Sequence, residues 1–249
     1  PEFIYFVVDT FLAIGDNELS EFADMYQDFK IPFWMNTRAE TVNEWRAEQL
    51  ERMNMLRMNI GIEHGNTEFR NNILKRNISN EATINAFKSV AGSKFITVAN
   101  SIIGFPDETR ELVFDTIELN RCLPKEIEAS GAFIFTPFHG SQLRDLAIER
   151  GYVDPASVCS LNVTKGSILE MPHFPVDEIR GLARTFSFYS KMPKETWPEI
   201  RKAEKFDQHG EEAFLLIREE FQKNYRRSTI NPKSSAAFDL VAGEISDLH

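Results

Sequence analysis

The stretch Arg57-Met58-Asn59-Ile60-Gly61-Ile62-Glu63-His64-Gly65 decides the fold. A largely apolar run that stops abruptly at charged residues and a glycine reads as a buried parallel strand whose C-terminal end opens on a ligand side. The same unit recurs on both sides of it. Upstream, Phe3-Ile4-Tyr5-Phe6-Val7-Val8 ends at Asp9-Thr10-Phe11, and Pro32-Phe33-Trp34-Met35-Asn36 closes on Thr37-Arg38. Downstream, Phe95-Ile96-Thr97-Val98-Ala99-Asn100-Ser101-Ile102-Ile103 runs into Gly104-Phe105-Pro106-Asp107-Glu108-Thr109, and a strand over 129–136 runs into Pro137-Phe138-His139-Gly140-Ser141.

Helical periodicity fills the intervals. Leu19, Phe22, Ala23, Tyr26 and Phe29 recur at helical spacing behind Asp16-Asn17, which suit a cap. Further helices are predicted over 42–53, 67–75, 80–91 and 108–121. Five strands separated by helices require parallel pairing with right-handed crossovers, hence an α/β sheet or barrel. After about residue 150 the rhythm changes to helices over 176–190, 194–204 and 210–225. The expected organisation is therefore a barrel over 1–150 and a mainly helical C-terminal subdomain over 151–249, whose tail from about 228 has weak periodicity and reads as partly ordered at best.

The composition, 42% apolar and 27% charged over 249 residues, suits a folded chain with a sizeable core. A net charge of -10 argues against nucleic-acid binding through phosphate neutralisation. No apolar run approaches a membrane span of roughly 20 residues, and no signal peptide opens the chain, so a cytoplasmic location is expected. Cys122 and Cys159 stand far apart outside any CxxC or Cys/His cluster, so no metal ligands are assigned. The chain opens at Pro1-Glu2-Phe3 and enters a strand almost at once, which reads as a cut through a larger protein.

The candidate ligand residues sit where strands end. Asp9 suits a ligand amine or hydroxyl and equally a turn. Arg38 suits a carboxylate or phosphate, with a salt bridge to Glu40 or Glu44 as the structural alternative. Glu63 should stand at the mouth of the sheet, placed for ribose hydroxyls or proton transfer. His64 alternates to the opposite side and reads as a structural histidine. Gly104 lets the backbone approach a ligand, with Asp107 or Thr109 capping the next helix. The Pro137–Ser141 segment can be read either way, and no catalytic residue is assigned.

Taken in order, the segments Val8-Asp9-Thr10-Phe11, Thr37-Arg38-Ala39-Glu40, Gly61-Ile62-Glu63-His64-Gly65, Ile103-Gly104-Phe105-Pro106-Asp107-Glu108-Thr109 and Pro137-Phe138-His139-Gly140-Ser141-Gln142-Leu143 resemble the radical S-adenosylmethionine (radical SAM) superfamily. The likeness covers about residues 3–150 and is greatest to its cobalamin-binding group and methylthiotransferase relatives. Glu63-His64-Gly65, with Arg70 and Leu74-Lys75-Arg76 following, is similar to a turn common in that family.

The resemblance implies a partial parallel (β/α)6 TIM-like barrel lacking its first strand. It also implies a 4Fe-4S cluster and S-adenosylmethionine (SAM) at the strand C-termini, with reductive cleavage giving a 5'-deoxyadenosyl radical. Carried over by position, Asp9 and Thr10 would lie near the methionine amine, Arg38 near its carboxylate and Glu63 near the ribose. Asn100, Ser101 and Gly104 would line the adenosine side, and Pro137 with Gly140 would shape the last strand's end. A small-molecule substrate, a reductant protein such as flavodoxin or ferredoxin, and cobalamin held by an N-terminal domain outside this chain complete the expectation, with methyl transfer or ring formation as the reaction.

Two departures stand out. Val8 occupies the first position of an aspartate pair, and the CxxxCxxC cluster motif is absent, as expected of a chain beginning at the second strand, which would leave it inactive alone. A non-catalytic barrel that binds or scaffolds is the alternative. An unrelated lyase or aldolase barrel would need a Schiff-base lysine or a metal set at the strand ends, and neither is there. His173 and Phe174 could close over a substrate or simply pack.

Overall fold

Each predicted strand forms and pairs with the next one in the chain. A computed structural model describes residues 2–159 and 166–225. Its five parallel strands are β1 (Ile4–Phe6), β2 (Phe33–Arg38), β3 (Met55–Glu63), β4 (Ile96–Ile103) and β5 (Glu128–Ile134), hydrogen-bonded in the order β1-β2-β3-β4-β5. This is an α/β half-barrel. The crossovers are α1 (Asp16–Tyr26), α2 (Glu44–Arg52), α3 (Thr67–Asn72) with α4 (Asn80–Val90), and α5 (Arg110–Arg121). After β5 come α6 (Gln142–Glu149), α7 (Val176–Lys191), α8 (Trp197–Ala203) and α9 (Gln208–Asn224), a helical C-terminal region. The tail from about 228 lies outside the described residues.

Several boundaries move for local reasons. The first strand stops at Phe6, leaving Val7 80% exposed, because an edge strand has a neighbour on one side only. Helix α1 is entered at Gly15 rather than capped by Asp16 or Asn17, and the Glu18 carboxylate accepts the Gly15 N–H at 2.9 Å. The helix predicted from 67 stops at Asn72, and Lys75 then takes a φ of 53°. Helix α5 is capped by Thr109, whose hydroxyl accepts the Leu112 N–H. Helix α6, not anticipated, is capped by the Ser141 hydroxyl.

Strand alternation sorts the side chains. Phe33 and Met35, with Met58, Ile60 and Ile62, enter a core with Leu19, Leu50 and Phe87 of the outer helices. The intervening residues Trp34, Asn36 and Arg38, and Arg57, Asn59, Gly61 and Glu63, therefore face the concave side.

A second core joins the barrel to the C-terminal helices, drawing Ile103, Ile117 and Ile134 together with Phe174, Ile179, Phe186 and Ile200. Fully burying such side chains stabilises by roughly 1.5–3 kcal/mol each. A polar clamp reinforces the joint. Arg110 of α5 donates to both oxygens of Glu204, at 2.9 and 2.7 Å, and the Tyr189 hydroxyl donates to the same carboxylate at 2.6 Å. No helix among the described residues is long and apolar enough to cross a membrane.

Candidate functional site

The parallel register brings four predicted residues to neighbouring positions on adjoining strands. Arg38 stands beside Gly61, Gly61 beside Asn100, and Glu63 beside Ser101 across a register shift. Arg38 is exposed and forms no ion pair among the described residues, so neither Glu40 nor Glu44 takes it. Glu63, at a left-handed φ of 64°, turns its carboxylate to the Arg76 guanidinium at 3.2 Å. Burial pushes the Glu63 carboxyl up, against the pull of Arg76 and Arg38.

Arg76 is the residue that sequence reasoning underused. Its guanidinium grips both oxygens of Glu40, Nε to Oε1 at 3.2 Å and Nη2 to Oε2 at 2.8 Å, while also bonding Glu63 and the Gly61 carbonyl. Burial draws the Glu40 carboxyl upward, but the Arg76 hydrogen bond and charge hold it below the ordinary carboxylate range. The earlier signal was the Leu-Lys-Arg run; its partners, 13 and 36 residues away, leave no local trace.

Beneath these ends lies a buried polar lock. His64 and Glu108 are both fully buried, with Nε2 3.0 Å from Oε1. His64 Nδ1 accepts the Asn66 N–H at 3.0 Å, so its Nε2 carries the hydrogen, close to Glu108 Oε1 but not aligned as a hydrogen bond. The other Glu108 oxygen accepts the N–H groups of Gly104 and Phe105. Burial pushes the Glu108 carboxyl up, opposed by His64 and the two backbone donors. The turns after β3 and β4 are thus tied together, and His64 is structural, as its alternation predicted.

Other predicted residues are held elsewhere. Asp9 is exposed and Thr10 half-buried, next to Phe11, whose N–H bonds the Asn36 carbonyl of β2. Ser101 is fully buried and its hydroxyl accepts from Asn120 of α5, so it faces the helix layer while Asn100 stays half-buried in line with Gly61. Gly104 has φ +82° and a Cβ there would sit 3.0 Å from Ile179, so the bare backbone admits helix α7 rather than open space. Asp107 caps nothing and instead binds Arg150 and the Tyr152 hydroxyl.

Pro137 is buried, and its carbonyl accepts from Arg144 at 2.9 Å and Cys159 at 2.8 Å; Gly140 is exposed at φ +82°. Phe174 is fully buried in the second core and His173 bonds the Glu108 carbonyl, so both pack.

The concave floor one row below Arg38 and Gly61 carries polar residues with no assigned role. Asn36 lies beside Asn59, Asn59 beside Val98, and Val98 beside Glu128. Tyr5, Asn36, Asn59, Arg57 and Glu128 are hydrogen-bonded in sequence across the sheet. Their signal was polar residues at period two inside apolar strands. Among the described residues no His, Cys, Asp and Glu side chains gather into a metal set.

Residues 2–119 match the family model described as Radical SAM superfamily. An uncharacterised methyltransferase of Pyrococcus horikoshii is 27% identical over 186 residues, 72% of this chain, which spans 38% of that relative's length. Two similar solved structures are the radical SAM methyltransferase TsrM from Kitasatospora setae with tryptophan substrate and a SAM analogue bound, and an N-terminally deleted Elp3 from Methanocaldococcus infernus. The first has a TM-score of 0.37 at 16% identity, covering 47% of this chain and 23% of that one. The second has a TM-score of 0.47 at 17% identity, covering 76% and 45%.

Proposed function

We propose, from the premise that residues 2–119 form a radical SAM superfamily domain, that this chain supplies the SAM-binding strand ends of a methyl-transferring radical SAM enzyme. The carrying observation is Arg38, an exposed cation without an ion pair among the described residues, one strand from Glu63 at the barrel mouth. Arg38 takes the methionine carboxylate in a charge-assisted pair. Asp9 and Thr10 receive the amine, Glu63 accepts from the ribose hydroxyls while Arg76 fixes its orientation, and Asn100 borders the adenosine. Ser101, Gly104, Pro137 and Gly140 shape the backbone around that pocket rather than donate side chains to it.

SAM supplies a 5'-deoxyadenosyl radical when it is reductively cleaved at a 4Fe-4S cluster. The cluster does not fit this chain's residues. Holding it with one iron open takes three thiolates, whereas the chain has two cysteines, Cys122 exposed at the end of α5 and Cys159 bonded to the Pro137 carbonyl. This chain alone therefore binds SAM without cleaving it, and cluster, reductant protein and cobalamin belong to further polypeptide. Those same two cysteines favour a second reading, a non-catalytic SAM-binding barrel.

Calorimetric titration with SAM tests the assignment. Arg38→Ala weakens SAM binding about tenfold, roughly 1.4 kcal/mol, while decarboxylated SAM binds wild type and variant alike. Equal SAM affinity in both proteins overturns the role of Arg38. Anaerobic treatment with iron and sulfide leaves the chain without 4Fe-4S absorbance; a stoichiometric cluster that cleaves SAM refutes the cofactor division and the non-catalytic reading together.

A further inference from the structure

The hydrogen bonds on the concave floor have a direction. Arg57 has no acceptor atom, so the Asn59 atom 3.1 Å from its Nε is the amide oxygen. Asn59 therefore turns its NH2 to Asn36, donating to Oδ1 at 3.0 Å. Asn36 in turn donates its own NH2 to the Tyr5 hydroxyl oxygen at 2.7 Å. At the other end, the Arg57 guanidinium reaches Glu128 at 3.5 Å. Each amide oxygen in the chain accepts one bond, and Glu128 closes the strip with a carboxylate. The Tyr5 O–H hydrogen and the second amide hydrogen of Asn36 and of Asn59 take no part in these bonds, so three donors stand in a row beside that acid.

These groups are accessible. Tyr5 is 39% exposed, and Asn36 and Asn59 are half-buried. The row lies two residues, about 6.6 Å, below Arg38 and Gly61 along the strands. An aromatic edge flanks it, since the Tyr5 ring stands 4.7 Å from Trp34, which in turn meets Phe3.

We propose that this strip is a substrate-recognition floor selective for a planar molecule that presents carbonyl or carboxylate oxygens, and that Tyr5, Asn36 and Asn59 read those oxygens. The three hydrogens pair with acceptor oxygens, whereas an ammonium has no acceptor to offer them and goes instead to the Glu128 carboxylate at the end of the strip. The identification as substrate rests on the radical SAM reading; the donor character of the strip does not.

The test uses the whole chain and three probes of one shape: benzoate, acetophenone and benzylammonium. The readout is the side-chain 15N amide signals of Asn36 and Asn59. Benzoate and acetophenone shift both signals, and benzylammonium shifts neither; the uncharged ketone separates donor recognition from attraction to Arg38. The variant Asn36→Asp still accepts from Asn59 but also captures the Tyr5 hydrogen, so two of the three open donors vanish. In this variant benzoate and acetophenone bind at least tenfold more weakly while benzylammonium gains, with the thermal midpoint recorded alongside to confirm folding.

Equal response to benzylammonium, or no response to either acceptor probe up to roughly 10 mM, a concentration that reveals contacts worth about 3 kcal/mol, overturns the proposal. The SAM titration of Arg38→Ala is read separately. Loss of SAM binding with the probe selectivity intact refutes the family reading of the rim and leaves the strip standing; the converse refutes the strip alone.

Discussion

Glu108→Gln changes no volume and removes one charge, which makes it a strict test of the buried lock. In the wild type the Gly104 and Phe105 N–H groups donate to one carboxylate oxygen, and His64 Nε2 stands 3.0 Å from the other without hydrogen-bond alignment. A glutamine offers one acceptor and one donor end. If its oxygen keeps the two backbone N–H groups, its NH2 meets the His64 N–H; if it turns over, its NH2 meets two backbone donors. Either way a fully buried donor is orphaned, at about 1–3 kcal/mol, and charge assistance is lost as well. Removing a buried charge offsets part of this, so the expected net loss is about 2 kcal/mol. For a domain of this size that lowers the thermal midpoint by roughly 4–8 °C.

Thermal and urea unfolding at neutral pH, followed by circular dichroism, give the number. His64→Phe, which keeps a ring against Phe69 but removes the acceptor of the Asn66 N–H and the polar neighbour of Glu108, costs about 1–3 kcal/mol. A glutamine variant as stable as wild type would falsify the reasoning, because it would mean that the carboxyl already carries a proton in the folded protein.

Two further substitutions probe the joint and the rim. Gly181→Ala places a Cβ 2.6 Å from the Glu204 carbonyl oxygen and 2.9 Å from its Cβ, where α7 passes the end of α8. Backbone cannot swing aside as a side chain does, so overpacking outweighs the helix preference for alanine by about 1–2 kcal/mol; a raised midpoint contradicts the close approach. Glu63→Gln addresses pH. Burial raises the wild-type carboxyl, so the folded chain binds a proton that the unfolded chain releases in the window above the ordinary carboxylate range. Wild type then gains stability as pH falls through that window, and the gain is lost as pH rises through the folded pKa. The glutamine variant lacks this slope, and urea midpoints that run parallel in the two proteins refute the shift.

The strands were legible because each combines an apolar run with an abrupt polar stop, a pattern set by burial on both faces. The helices between them followed from spacing. Helix α6 escaped because its cap, Ser141, sits inside a proline- and glycine-containing segment that reads as loop, and the helix has eight residues. The end of β1 was overrun because Val7 and Val8 are apolar whether or not a neighbour covers them. At the site, local sequence located Arg38 and Glu63 but not their surroundings. Ser101 and Asn100 are consecutive and therefore point to opposite layers, and that parity depends on the register shift in β3–β4 pairing. Glu108 looked like part of a helix start, yet its carboxylate folds back on Gly104.

The pairing of charges around the barrel mouth separates residues that hold the scaffold from those left open. Glu40, two positions beyond Arg38, is the nearest carboxylate in the chain and the obvious partner for it. Instead Arg76 crosses from the far side of β3 to occupy both Glu40 oxygens. A structural role for Arg38 would have been met more simply by that local pair, and Arg76 could then have bonded Glu63 alone. Asp107 with Arg150 and Tyr152, and Arg144 with the Pro137 carbonyl, likewise satisfy one another. Leaving the Arg38 guanidinium exposed and without an ion pair among the described residues has no packing benefit, since surface charge contributes little to stability. Its position beside a carboxylate held in a fixed orientation is what the proposed SAM site draws on. The strip one row below extends the same logic, because three of its hydrogens take no part in its internal bonds.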